Sequence, residues 1–237
     1  NRPLTIDAQL GQNIYIPFYT DEILQLKVNT YDNSNNLVQT ATGGNNNIDH
    51  GFVQMNIGSA AIATNLSVTI NGNIKYYDVW FNSFDKVRVY LQCNPKYTPI
   101  SIHFMNAFGM FETHSFSLVS RLSMNIERKG FEQRDYRFNG NAVDYNSANN
   151  KYYEGKINYD NKADLTYKLT SDALADLEYK WLSELIMSPQ ILMEVDGYFY
   201  PVLVKANTYE FNTFVNDRLK ALQIDFDMNM SRNSQLR

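Results

Sequence analysis

Few side chains in this sequence are placed to do chemistry. His50, His103 and His114 are its three histidines. His103 and His114 flank a short loop and would meet across a hairpin, with Glu112 as the obvious third donor for a bound metal. The simpler reading puts each histidine on the polar or packed face of its own strand, and no metal is assigned. Asp225 and Asp227 are two apart on an alternating run, so their side chains share a face. Glycosidase acid–base pairs instead stand about 5–10 Å apart across the bond they cleave, usually on different elements. Ser120, Ser123 and Ser183 lack a Gly-x-Ser-x-Gly turn. Gly43-Gly44 is followed by Asn rather than Lys, so there is no phosphate loop. The turn Asp32-Asn33-Ser34-Asn35-Asn36 offers oxygens without the spaced acids and terminal Glu of a calcium loop. Cys93 is the single cysteine, which excludes an intrachain disulfide. It closes the run Val89-Tyr90-Leu91-Gln92-Cys93 and reads as a buried, inert thiol. No catalytic residue, metal or cofactor is expected, and the chain reads as a non-enzyme. A hydrolase using Asp225, Asp227 or His103 is a distant third reading.

Aromatic and basic residues are the stronger signal. Tyr145, Tyr152, Tyr153 and Tyr159 surround an Asn-rich stretch, and Arg134 and Arg137 lie just before it. Tyr and Arg are enriched where one protein grips another, and tyrosine rings also stack on sugars. Tyr145, Tyr152, Tyr153, Arg134 and Arg137 are the candidate partner-contact residues. The plainer alternative is that the tyrosines pack on their own sheet.

The elements that must position these residues are mostly strands. Residues 13–18 and 23–31 alternate, with Leu24, Leu26 and Val28 facing one way and Gln25, Lys27 and Asn29 the other. Residues 37–40 return after the turn at 32–36. Residues 43–47 read as a polar loop. Short strands are predicted at 51–56, 66–70, 74–81 and 86–93, with an Asn71-Gly72 turn between the second and third. This is sandwich-like. Pro95 and Pro99 mark a boundary, giving a β-sandwich-like module at 1–96 and a β-rich α+β domain at 97–237. In the second, strands are predicted at 100–105, 111–119 and 162–169. Residues 124–138 mix charge with Phe131 and Tyr136 and read as an exposed strand or extended arm; 139–150 read as a long polar loop. One packed helix is predicted at 171–187, capped by Thr170 or Ser171, with Leu174, Leu177, Trp181, Leu182, Leu185 and Ile186 on its apolar face. Ser188-Pro189 ends it. Asp196-Gly197 is the clearest hairpin turn, and Leu222, Ile224, Phe226, Met228 and Met230 form one face of a closing strand.

Composition narrows the function classes. A chain of 237 residues is long enough for a substantial core. A formal net charge of -4 argues against general nucleic-acid binding, which calls for a basic patch. Charged residues are 19%, against roughly 25% in average proteins, so Asn, Ser, Thr and Gln must supply much of the polar surface. No run approaches the ~18 apolar residues that span a membrane, and no signal peptide is visible. The chain begins at Asn1 rather than Met, consistent with a leader or upstream domain before it.

Three stretches resemble a known family: His103-Phe104-Met105-Asn106-Ala107-Phe108-Gly109-Met110-Phe111-Glu112-Thr113, Trp181-Leu182-Ser183-Glu184-Leu185-Ile186-Met187-Ser188-Pro189, and Gly197-Tyr198-Phe199-Tyr200-Pro201-Val202. In order and spacing they are similar to virion proteins of tail or baseplate type from tailed phages and prophages of Bacteroidetes. The resemblance covers about residues 101–230 and extends weakly to the N-terminal module. Met110-Phe111 departs from it, since relatives are expected to carry a Gly-Trp or similar pair there. The family supplies no catalytic signature to carry over. The resemblance implies a structural protein of the virion tail, assembled in the bacterial host cytoplasm. Its implied partners are other copies of itself, in a ring-like homo-oligomer, and neighbouring virion proteins, with residues 124–138 and 139–150 as the assembling arm and loop. The alternative is a carbohydrate-binding β-sandwich module that contacts host glycans through its Tyr and Asn loops. Neither reading involves nucleic acid or membrane insertion.

Overall fold

The computed structural model describes residues 4–20, 24–46, 51–82, 85–92, 96–132, 137–139, 142–144, 156–205, 220–228 and 232–234. The chain is mainly β. Its first half holds β1 (Thr5–Ala8), β2 (Tyr15–Thr20), β3 (Leu24–Asp32), β4 (Leu37–Asn46), β5 (Gly51–Asn56), α1 (Ser59–Leu66), β6 (Ile74–Phe81) and β7 (Val87–Leu91). Five strands form a sheet in the order β1-β7-β6-β3-β4, while β2 and β5 pair as a separate ribbon. Leu26 and Val28 of β3 are buried as their alternation predicts. They join Val79, Phe81 and Val89 from the sheet, Ile16 and Val53 from the ribbon and Ile62 from α1 in one core. Tyr77, fully buried there, donates its hydroxyl to the Ile57 carbonyl at 2.8 Å, and burial pushes its phenol well above the ordinary value. At the turn after β3 the Asp32 carboxylate accepts the Ser34 and Asn36 N–H groups, each at 2.8 Å. These bonds, that from Asn36 foremost, hold the exposed carboxyl below its usual range. That carboxylate closes the turn.

Two expectations fail in this half. Residues 66–70 are not a strand. The sequence before them, Ala60-Ala61-Ile62-Ala63, is a strong helix former and folds as α1, ending at Ser67 in the left-handed conformation. Gly58 starts that helix so close to the Gln12 carbonyl that a Cβ would lie 2.1 Å from it. Residues 43–46 are not a loop, because β4 continues through them, paired with β3 across an irregularity at Gln25/Leu26.

The second half holds β8 (Ile100–Met105), β9 (Phe111–Phe116), β10 (Arg121–Glu132), β11 (Arg137–Asn139), β12 (Ala142–Asp144), β13 (Lys156–Leu174), α2 (Asp176–Trp181), α3 (Ser183–Met187), β14 (Ile191–Val195), β15 (Tyr198–Val204), β16 (Lys220–Met228) and β17 (Arg232–Ser234). Its main sheet runs β10-β13-β16-β15-β14-β8-β9, with β17 also on β13, and β11 pairs β12 separately. A second core, with Phe104, Phe116, Trp181, Leu182, Leu185, Ile224 and Phe226, lies between this sheet and the helices. Asp196 and Gly197 both take positive φ, 52° and 79°, which matches the twist that a two-residue hairpin demands.

The predicted helix at 171–187 is shorter and broken. Strand β13 runs on to Leu174, because buried Ser171 serves the sheet: its Oγ accepts the Leu222 N–H at 2.8 Å. Helix α2 starts after Ala175, whose N–H donates to the Glu178 carboxylate at 3.0 Å. Leu182 separates α2 from α3. Leu174 is buried from the strand, and Leu177 is 64% exposed, so neither belongs to a helical apolar face. Ser188 closes α3, taking the Met105 N–H at 2.9 Å and donating to the Gln190 carbonyl at 2.8 Å. Among the described residues no helix is long and apolar enough to cross a membrane, which says nothing of a β-barrel.

Candidate functional site

Opposite faces of the β8–β9 hairpin keep the histidines apart. His103 stands across from Thr113, and Ile102 across from His114, so the two rings point to different sides. His103 and Thr113 turn toward the N-terminal half. There Thr113 Oγ1 accepts the Tyr15 N–H at 2.9 Å and lies 2.8 Å from His103 Nδ1. His103 Nε2 lies 3.0 Å from Glu194, which also accepts the Asn13 side-chain amide at 2.8 Å. Gln12 adds hydrogen bonds to Ser115, at 2.7 Å, and to Ser101. Glu194 accepts the proton of His103 Nε2, and the Thr113 hydroxyl serves His103 Nδ1 as hydrogen-bond partner. Burial alone would raise the Glu194 carboxyl, but the hydrogen bonds from His103 and Asn13 hold it below the ordinary value. The order carboxylate–imidazole–hydroxyl is that of a hydrolytic relay. Both His103 and Thr113 are buried, however, and Thr113 is already bonded to backbone across the seam. The group clasps the two halves together.

His114 and Glu112 occupy the other face. Glu112, buried, accepts the Asn106 side-chain amide at 2.9 Å and the Trp181 indole N–H. His114 Nε2 is shielded and has no hydrogen-bond partner among the described residues. Desolvation pushes this ring down to about 4, so it is neutral at physiological pH. Among the described residues no group of three or more His, Cys, Asp or Glu side chains is placed to hold a metal. The Asp225/Asp227 pair likewise resolves into a structural contact. Asp227 accepts the Thr166 hydroxyl at 2.6 Å and pairs with Lys205 at 2.7 Å. Burial opposes its ionisation, but these two partners hold its carboxyl below the usual range. Ser123 and Ser183 donate to the backbone carbonyls of Thr166 and Lys180.

Residues 124–138 read in the sequence as an exposed strand or an extended arm, and as far as Glu132 they are an exposed strand. Strand β10 starts earlier, at Arg121, and pairs with β13 along its full length. All twelve of its residues are exposed, and its outer edge has no partner among the described strands. Leu122, Met124 and Ile126, at 54%, 52% and 46% exposure, form an apolar stripe on one face. Phe131, at the far end, lies against the exposed Tyr159 ring with centroids 6.4 Å apart. Of the candidate contact residues, Arg137 belongs to β11, opposite Asp144. Arg134, Tyr145, Tyr152 and Tyr153 lie outside the described residues, as do His50 and Cys93. Residues 137–139 and 142–144, expected partly as loop, form the β11–β12 hairpin.

The sequence reading missed a cleft of about 800 Å³ between the β2–β5 ribbon, β6, β7, the turn after β8 and α3. Its aromatic walls are contiguous: Tyr19 meets Phe52 at 5.2 Å between centroids, and Phe52 meets Phe108 at 5.5 Å. Trp181, Glu112 and Glu184 also line it. These residues come from four separate stretches of the chain, so no local spacing could have announced them. No protein-family model, curated protein or solved structure matches this chain.

Proposed function

We propose that the chain is a structural subunit of a phage tail or baseplate that acts by assembling with copies of itself and with neighbouring virion proteins. The observation carrying this reading is β10. It is an exposed edge strand of about 40 Å whose outer edge meets no other described strand, a template for a strand of another chain. Arg128, Lys129 and the irregularity at Lys129/Gly130 blunt the far end of this edge, whereas Leu122, Met124 and Ile126 leave an apolar stripe along its first half. Edge pairing supplies hydrogen bonds and the stripe supplies burial, and a head-to-tail contact that closes makes a ring. The tail-protein resemblance of residues 101–230 agrees with this mode.

The test is solution mass by light scattering across a concentration series, for the wild type and for Ile126→Lys. The expected wild-type mass is a discrete multiple of 27.4 kDa, or grows with concentration. Ile126→Lys is expected to stay monomeric with its unfolding midpoint little changed, since its side chain is exposed. A wild type that remains monomeric at every concentration, with and without the substitution, overturns self-assembly through β10.

A further inference from the structure

We propose that the cleft between the β2–β5 ribbon and the turn at 106–110 binds a small organic cation, an ammonium group on an apolar or aromatic body. The volume, about 800 Å³, is within the range of small-molecule sites. The walls suit a flat or apolar body: Tyr19, Phe52 and Phe108 make a continuous aromatic side, and Phe108 is 69% exposed at the rim. An aromatic ring so exposed on a tight turn gains nothing from its own core. The charged side chains that line the cleft have one sign. Asp85, Glu112 and Glu184 line it, and among the described residues no Lys, Arg or His does.

The two glutamates have different roles. Glu112 is held in place by hydrogen bonds from Asn106 and Trp181. Glu184 lines the same cleft, and among the described residues no cationic side chain lines it. Burial, and then the Glu112 charge, push its carboxyl upward, against the positive charge of the chain's N-terminus and the hydrogen bond from the Ala107 backbone. A cation entering the cleft relieves that repulsion and meets aromatic faces that attract positive charge. Neutral sugars would meet the same rings but would leave the paired carboxylates uncompensated. The inference is independent of self-assembly through β10.

The experiment is calorimetric titration of the full chain with phenethylammonium and with its neutral counterpart, phenethyl alcohol. The wild type is expected to prefer the ammonium by about tenfold, the size of one good cation–π or charge contact. The preference should weaken as pH falls, because it needs ionised Glu184. Glu184→Gln is expected to bring the two probes close to parity, while Phe108→Ala weakens both. Equal binding of the two probes by the wild type, a preference that survives Glu184→Gln, or no heat from either probe overturns the proposal.

Discussion

At the scale of single residues, His114 is the most informative. Its Nε2 is shielded and has no hydrogen-bond partner among the described residues, and desolvation holds the ring at about 4. An unfolded histidine titrates near 6.5. Between those values the unfolded chain binds a proton that the folded chain refuses. The stability contribution is therefore fully present above about 6.5 and declines as pH falls toward 4, with a limiting slope of about 1.4 kcal/mol per pH unit. His114→Phe removes the titration and the unsatisfied nitrogen together. Urea unfolding is expected to give a variant at least as stable as the wild type at neutral pH, with a flatter profile between pH 6.5 and 4. Equal slopes for the two proteins would contradict the assignment. The sequence placed His103 and His114 on adjacent strands correctly, but as a possible pair. Register decided otherwise, because opposing strand residues share a face and these two are offset by one position.

At the scale of elements, strands were far more legible than helices. Strands at 51–56 and 74–81, the Asp196-Gly197 hairpin and the closing strand could be read because their alternation and turn residues are local properties. The start of the helix could not, because Thr170 and Ser171 look like caps in isolation. Whether Ser171 caps a helix or satisfies a neighbouring strand depends on Leu222, fifty-one residues away. Helix α2 instead begins after Ala175, which has no side-chain acceptor to offer the first turn. Ala175→Ser should supply one and raise stability by roughly 0.5–1 kcal/mol, measurable as a shift in the denaturant midpoint. A loss of stability would mean that the strand-to-helix junction is strained by any larger side chain. Helix α1 escaped notice for a different reason: its alanines carry propensity but little amphipathic signal.

For the whole molecule, the decisive feature is the contrast between two apolar cores and a polar seam. One core draws on residues 8–91 and the other on residues 100–226. Between them run the contacts of Gln12, Asn13 and Tyr15 with Ser115, Glu194 and Thr113. Hydrogen bonds of this type contribute about 1 kcal/mol each, and leaving a buried partner unsatisfied costs more. Asn13→Ala combined with Glu194→Gln is expected to lower the coupling between halves while sparing both cores. Calorimetry should then resolve two transitions where the wild type gives one; a single unchanged transition would show that the halves are held elsewhere. Neither this seam nor the aromatic cleft could be read from the sequence. Each is assembled from short stretches that only the packing of the two halves brings together.

The length of β13 has a mechanical side. At nineteen residues it spans roughly 60 Å and is bonded on one flank to β10 and on the other to β16 and β17. Ladder bonds stand perpendicular to their strands. A pull directed along β13 therefore loads many of them at once, in shear, whereas a pull across the β14–β15 hairpin opens its bonds one after another. Tension entering the chain along this spine would be spread over both flanking ladders before any single bond had to yield.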